Sequence, residues 1–514
     1  MEKSLYRDGP VVLVSRPIEF TFPLSYAYLA GYLLQQDENV KIVFRQPDHT
    51  ALVKQIMDLN PVLVGFGNLY PELREISHFI KLLNQAGRRF PIVIGGQMVS
   101  PIPEFAVKVT GADFAVVGEG EIILHQLVCA LREGKDASDI KGLAVRQGNQ
   151  VVLTGPGPFI EDLSKLPPVP YELFPEREWL HLGRWYNMNC PQPHWRFTDR
   201  VINVHGGRGC PFKCNFCYHH STARYRPIDL MLAEAQEALE RFNGNMLYFS
   251  DDLVLLTPKR ARELVAGLRA LRRPVEYSVS TRFDILDRLD DDLLAEMKET
   301  GCRIMGLGIE SGSDRMLKII GKNCTSAQIL HNLRRLKQVG IFPTAGIMVG
   351  QFDETRDDAE ASIRLMLESV RENPNIQYAF TVTTPFPGSP LYDYIMKNGL
   401  LEGDEDFFKR YFSGSSDWNM VVNLSRMSDE EVWAMHSKLT SLYYQQQKKA
   451  IGRSVSVVQN LRRYWRGFNR LAEKKLVSRL PKQGKLGTVS EAYRLTRDVI
   501  SHRLEDIELK LRGV

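Results

Sequence analysis

Three cysteines fall within eight residues, in the run Cys210-Pro-Phe-Lys-Cys214-Asn-Phe-Cys217. Thiolate is a soft ligand that suits iron–sulfur clusters and zinc. Three thiolates on one short loop can hold three irons of a cubane cluster, which leaves the fourth iron open to an outside ligand. Gly206-Gly207-Arg208-Gly209 precedes the run. Its glycines make room for the loop and bare backbone N–H groups toward an anionic cluster. A zinc site is the rival reading, with His219 or His220 adding a nitrogen ligand, although structural zinc loops more often use paired Cys-x2-Cys units. The bland reading is three shielded thiols that bind nothing. The other four of the seven cysteines, Cys129, Cys190, Cys302 and Cys324, are scattered and read as ordinary buried thiols. An odd total argues against a disulfide framework.

A loop of this kind needs a scaffold, and the chain around it alternates strand and helix signals. Apolar runs at 201–204, 246–249, 275–279, 304–309, 342–348 and 378–383 read as strands, with amphipathic segments between them. Six such repeats predict a partial (β/α)6 barrel, whose chemistry belongs at the C-terminal strand ends. Upstream, runs at 11–14, 40–44, 62–66, 91–94 and 114–117 separated by helical spacing predict a doubly wound, flavodoxin-like parallel sheet. Ligands of such sheets sit beyond the carboxyl ends of the strands, where Gly65, Gly67, Gly95, Gly96 and Gly118 fall. These glycines either let backbone approach a bulky ligand or simply make tight turns. The expected fold class is therefore α/β, with residues 1–150 as the first unit, 151–195 as a Pro- and Gly-rich linker, 196–401 as the barrel and 402–514 as a mainly helical region. Within that last region, a helix is predicted over 429–449, with Ser428 as N-cap and Glu431 completing a capping box.

With 514 residues the chain is too long for one ordinary core, and 44% hydrophobic with 25% charged residues is the balance of a globular protein. No run of eighteen apolar residues is present, and the first ten lack a secretory pattern, so a cytoplasmic protein is expected. The net charge of +5 hides a basic tail: residues 448–514 hold 17 Lys and Arg against 6 Asp and Glu. Leu461-Arg-Arg-Tyr464-Trp465-Arg-Gly-Phe468 interleaves cations and aromatics. That pattern fits contact with an anionic membrane surface, or a helical cap with a solvated charged face; nucleic acid is not favoured.

The Cys-x3-Cys-x2-Cys loop after the first barrel strand resembles the signature of the radical S-adenosylmethionine (SAM) superfamily, and Tyr218 resembles the aromatic residue beside its last cysteine. The resemblance implies a [4Fe–4S] cluster on Cys210, Cys214 and Cys217, with SAM chelating the open iron through its amino and carboxylate groups. It further implies an external electron donor, reductive cleavage of SAM to methionine and a 5′-deoxyadenosyl radical, and a small-molecule substrate. Later strand ends resemble the family's SAM contacts. They are Phe249-Ser250-Asp251-Asp252, Ser280-Thr281-Arg282-Phe283-Asp284, Gly308-Ile309-Glu310-Ser311-Gly312-Ser313 and Gly346-Ile-Met-Val-Gly350. The SAM-binding set so implied is Tyr218, Ser250, Asp251, Arg282, Glu310, Ser311, Gly346 and Gly350. Asp251, Arg282 and Glu310 could equally be satisfied structural charges. One departure is Gln351-Phe352-Asp353, where many relatives have a Leu-Pro-Gly turn.

The first unit resembles the cobalamin-binding domain of one radical SAM subclass, which holds class B methyltransferases and the anaerobic porphyrin cyclases. The resemblance implies cobalamin contacts at Gly65, Gly67, Gly95, Gly96, Gly118 and Glu119. The Asp-x-His-x-x-Gly motif of cobalamin-dependent mutases is missing, because the loop from Ser15 to Leu24 holds no histidine and His49 reads as a surface loop residue. A histidine lower ligand is thus not expected. A flavodoxin-like domain that has lost its cofactor is the alternative. The implied reaction is methylation of an unactivated centre in a small molecule or lipid-like substrate. The rival is radical oxidation, cyclisation or rearrangement, and the reading from another class is a non-catalytic metal-binding scaffold.

Overall fold

The computed structural model describes residues 7–451, apart from 19–21, 47, 68–71, 98, 183–193, 197, 219–221 and 414–419, together with residue 507. His219 and His220, Cys190 and almost all of the basic tail therefore lie outside the described residues. Among those described, no helix is long and apolar enough to cross a membrane.

The first sheet contains β1 (Val11–Ser15), β2 (Val40–Phe44), β3 (Leu63–Gly67), β4 (Ile92–Gly95), β5 (Phe114–Val116), β6 (Leu143–Gln147) and β7 (Gln150–Leu153), in the spatial order β2-β1-β3-β4-β5-β6-β7. The first five strands are parallel. Every residue of β1 is buried, as expected when helices cover both faces. Val11 and Leu13 join one core with helices Leu24–Gln35 and Glu121–Glu133. Val12 and Val14 join a second core with helices His49–Asp58, Leu73–Gln85 and Pro103–Thr110. The chain reverses direction across the sheet between β1 and β3, which opens a crevice at their carboxyl ends.

The antiparallel hairpin β6–β7 differs from the all-parallel sheet expected of this unit. Its signal is a two-residue turn, Gly148-Asn149, between the short apolar runs Leu143-Ala144-Val145 and Val151-Val152-Leu153. The hairpin carries the sheet to Leu153, so the boundary expected at 150 falls inside a strand. His49 is the first residue of a helix capped by Asp48, with its ring 4.5 Å from that of Phe79, rather than a surface loop residue. The stretch expected to be a linker also packs: the rings of Tyr171 and Trp179 stack at 4.6 Å, Phe22 approaches from the first unit at 5.4 Å from Tyr171, and Phe242 closes from the barrel at 5.0 Å from Trp179.

The second unit supplies β8 (Val201–Val204), β9 (Gly207–Arg208), β10 (Arg224–Tyr225), β11 (Met246–Phe249), β12 (Glu276–Thr281), β13 (Cys302–Glu310), β14 (Phe342–Val349) and β15 (Gln377–Val382). Six of them form one parallel sheet in the order β15-β14-β13-β12-β11-β8, and the two end strands do not pair, so the barrel is partial. β9 and β10 form a separate antiparallel ribbon. The C-terminal helices fasten both units. Helix Asp404–Ser413 lies against the first unit, with Phe408 5.5 Å from Phe105 and Arg74 over Phe412. Helix Asp429–Ala450 has the capping box of Ser428 and Glu431, and its Tyr443 hydroxyl donates to the Ile376 carbonyl at 3.1 Å, beside β15.

Candidate active site between the two sheets

The cysteine loop leaves β8 at its carboxyl end. Gly206 and Gly207 are needed there because a Cβ would lie 2.6 Å from the Met231 sulfur or the Tyr225 ring, respectively. The β9–β10 ribbon clasps the base of the loop. Asn215 fixes its far side: its N–H donates to the Ile320 carbonyl at 3.3 Å and its carbonyl accepts from the Leu391 N–H at 3.0 Å. Tyr218 follows the last cysteine and packs on Gly388, where a Cβ would come within 2.5 Å of its ring.

No disulfide joins the described cysteines. Among the described residues, the three loop thiols are not a group whose sulfurs all lie within 4.8 Å of one another. A single tetrahedral zinc would bring its sulfurs to about 3.8 Å. In a cubane cluster each thiolate binds a different iron, so the three sulfurs need not converge on one point. Burial, followed by the charge of Asp252, pushes the Cys217 thiol up to about 12. Three free thiols on one short loop, anchored by Asp251 and Asn215, fit a three-thiolate cluster.

The later strand ends converge on this loop. Arg282 follows β12 and is buried; its Nη1 lies 3.2 Å from the Cys214 sulfur, and Asp284 holds its Nε at 2.8 Å. Its guanidinium stacks 3.8 Å over the Phe212 ring. Glu310 ends β13 with φ +67° and pairs with Lys322 at 3.1 Å. Gly308 and Gly346 flank the Glu310 carboxylate; a Cβ would be 2.3 Å from its oxygen at Gly308 and 3.7 Å at Gly346. Gly350, with φ +79°, donates its N–H to Glu354 at 2.6 Å. The Ser311 hydroxyl lies 3.2 Å from that of Ser362 and accepts the Ser313 N–H, so it meets protein rather than open space. Asp353 takes φ +62°, a left-handed conformation at the position where the relatives' Leu-Pro-Gly turn has glycine. Gln351 closes the same turn by donating to the Glu310 carbonyl at 2.9 Å.

Asp251 and Asp252 divide their duties. Asp251 is buried and accepts the Gly206 N–H at 2.8 Å and the Gly207 N–H, which anchors the cysteine loop, and burial pushes its carboxyl up to about 7. Asp252 faces the cavity beside Ser250. The quoted motif contained both residues, but the one selected from sequence was the anchor. His205 was also missed. It lines the cavity, and burial together with Arg208 and Arg226 lowers it to about 4, so its ring is neutral at pH 7.

That cavity is about 480 Å³. One wall is the carboxyl edge of the first sheet, including Gly65, Gly67, Gly95, Gly96, Gly118 and Glu119; the other is the barrel, through His205, Gly207, Arg208, Gly209, Ser250 and Asp252. Gly65 leaves no space for a side chain, since a Cβ would be 2.8 Å from Leu13. The Tyr26 hydroxyl accepts the Gly67 N–H at 2.7 Å and donates to the Val14 carbonyl at 2.9 Å, tying the two strands on either side of the crevice. Glu119 lines the cavity but is committed to the barrel: it pairs with Arg224 and, at 2.7 Å, with Arg208, whose other nitrogen meets Glu121 at 2.5 Å.

A glycine-lined crevice at a topological switch point, facing a barrel mouth that carries a three-cysteine loop, defines an α/β enzyme whose ligand cavity has a wall from each unit. The family comparisons agree. Residues 204–366 match the Radical SAM superfamily and residues 11–128 match the B12 binding domain. The chain is a radical SAM enzyme that carries a B12-binding domain. The first match implies a [4Fe–4S] cluster and SAM, together with a small-molecule substrate and an electron donor, and the second implies cobalamin. The chain is 27% identical over 388 residues to the uncharacterized methyltransferase PH0819 of Pyrococcus horikoshii, covering 74% of this chain and 79% of that protein. It is 25% identical over 385 residues to the anaerobic magnesium-protoporphyrin IX monomethyl ester cyclase of Cereibacter sphaeroides, covering 72% of this chain and 60% of the cyclase. Its fold is similar to that of the radical SAM methyltransferase TsrM from Kitasatospora setae, with TM-score 0.62, 18% identity and coverage of 85% and 81%. It is also similar to that of the cobalamin-dependent enzyme OxsB, with TM-score 0.64, 16% identity and coverage of 98% and 79%.

Proposed function

We propose that this enzyme transfers a methyl group from SAM, by way of cobalamin, to an unactivated carbon or phosphorus centre of a small molecule or lipid-like substrate. The observation that carries this reading is the cavity of about 480 Å³ walled by both units, with the glycine-rich edge of the first sheet on one side and the base of the cysteine loop, Gly207 to Gly209, on the other. The methyltransferase names of PH0819 and TsrM support it.

When bound, the cluster, SAM and cobalamin supply the electron entry, the hydrogen-abstracting radical and the methyl carrier. The protein's part is position and exclusion. Cys210, Cys214 and Cys217 hold the cluster, and Asp251 and Asn215 hold their loop. Tyr218, Ser250, Arg282, Glu310, Gly346 and Gly350 form the bed for SAM, with Asp252 added and Ser311 kept as a support of the turn. Gly65, Gly67, Gly95, Gly96 and Gly118 would leave the sheet edge clear for cobalamin, while Glu119 latches the two walls. Cysteines without disulfide partners suit a reducing cytoplasm.

Anaerobic reconstitution with iron, sulfide and cobalamin, followed by incubation with methyl-labelled SAM and a reductant, tests the proposal. The expected result is about one cobalamin retained per chain and label recovered in the corrinoid fraction, with Cys214→Ala losing the cluster iron. Formation of 5′-deoxyadenosine while the label stays in methionine would favour the cyclase type of chemistry and overturn methyl transfer.

A further inference from the structure

Outside the active site, one trio of metal-ligating side chains among the described residues brings a donor atom from each within 4.8 Å of the others: Glu38, His125 and Cys129. His125 and Cys129 stand one turn apart on helix Glu121–Glu133, which puts them on one face. Glu38 comes from the turn between helix Leu24–Gln35 and β2. The His125 Nε2 and the Cys129 sulfur are 3.3 Å apart, close to the separation of about 3.6 Å that a tetrahedral zinc gives a nitrogen and a sulfur ligand.

The surroundings are those of a prepared site. The Glu38 side chain is only 9% exposed. Arg132 donates to its Oε2 at 3.0 Å and is itself held by the Gly9 carbonyl at 3.3 Å. Ligating carboxylates are commonly oriented by such a second partner. The Tyr32 ring stands edge-on to His125 at 6.3 Å. A cavity of about 530 Å³ opens beside Cys129, with Glu133, Asp136 and Asp139 on its wall, which gives an ion a route in and a water room to complete the shell.

We infer that Glu38, His125 and Cys129 form a second metal site, separate from the cluster, that takes one divalent cation of the zinc type with a water as fourth ligand. The mixture of one sulfur, one nitrogen and one oxygen is borderline in softness, which suits zinc better than calcium, magnesium or an iron–sulfur unit. The bound ion ties helix Glu121–Glu133 to the turn before β2. The first residue of that helix, Glu121, lines the active-site cavity and pairs with Arg208, so the ion steadies one wall of the chamber from outside.

The test uses the full chain with its cluster already reconstituted, so that the loop thiols are occupied. After exposure to zinc chloride and gel filtration, metal analysis should find one zinc per chain beside the cluster iron. The zinc absorption edge should show a single sulfur at about 2.3 Å among nitrogen and oxygen ligands. Cys129→Ser, His125→Ala and Glu38→Gln should each weaken zinc retention at least tenfold while the iron content stays at the parent value. That unchanged iron serves as the check that each variant has folded. Absence of retained zinc, retention undiminished in Cys129→Ser and His125→Ala, or a shell of three sulfurs would each overturn the inference.

Discussion

Arg282 is fixed before it reaches the cluster loop: Asp284 grips one edge, the Gly321 carbonyl another at 3.4 Å, and Phe212 lies under its face. Its remaining nitrogen points at the Cys214 sulfur from 3.2 Å. A charged donor on a cluster sulfur stabilises the more reduced, more negative state and so raises the reduction potential. Arg282→Lys keeps the charge and loses the fork, because an ammonium cannot satisfy three fixed acceptors at once. The midpoint should fall on the order of 60 mV, the one-electron equivalent of about 1.4 kcal/mol. Redox titration followed by the cluster's magnetic resonance signal checks this, and an unchanged midpoint would remove Arg282 from the electronic role. At this scale the sequence was informative about identity and silent about direction. The three cysteines and Arg282 were readable from spacing and order. Whether Asp251 or Asp252 faced the chamber was not, because neighbouring residues at a strand end point to opposite sides and only the path of the loop decides which side is which.

Among the elements, the turn after β14 shows how one fold position tolerates a different sequence. Asp353 adopts the left-handed conformation, with Arg315 at 2.7 Å and Arg426 at 2.5 Å on its carboxylate. Aspartate enters this region more easily than most residues, and its local hydrogen bonds compensate. Asp353→Gly should therefore cost less than about 1 kcal/mol, since exposed ion pairs contribute little. Asp353→Ala should cost about 1–2 kcal/mol, the penalty of a Cβ in that conformation without polar compensation. Thermal unfolding of the two variants side by side tests the order, and equal losses would contradict the backbone argument. Strands such as β1, β3 and β4 were legible in advance, because strands buried on both faces are written as continuous apolar runs. The β6–β7 hairpin was not, because its outer strand is only four residues long, is mostly exposed and sits next to a Gly-Pro stretch that reads as linker. The helix over 429–450 was legible to its capping residue, since that signal is purely local.

At the scale of the molecule, the chamber exists only while the two units stay together, and Glu119 is the hinge pin between them. Burial alone would raise its carboxyl, but the hydrogen bonds and charges of Arg224 and Arg208 outweigh burial and hold it below the ordinary glutamate value. A depressed folded value means that the stabilisation is complete above the unfolded pKa of about 4.3 and disappears as the pH falls through the folded one. Glu119→Gln leaves Arg224 without its counter-charge while Arg208 keeps Glu121, so it should cost on the order of 3 kcal/mol near neutral pH. It should also flatten the acid limb of the melting temperature plotted against pH. A variant whose acid limb matches the parent would show that the latch is not what the acid dissolves. Arg208 has a second consequence. It is two residues from the first cluster cysteine and grips the same loop that borders the corrin crevice. The same side chain therefore couples the base of the cysteine loop to the wall of the crevice, so a change at Glu119 or Glu121 is felt at both.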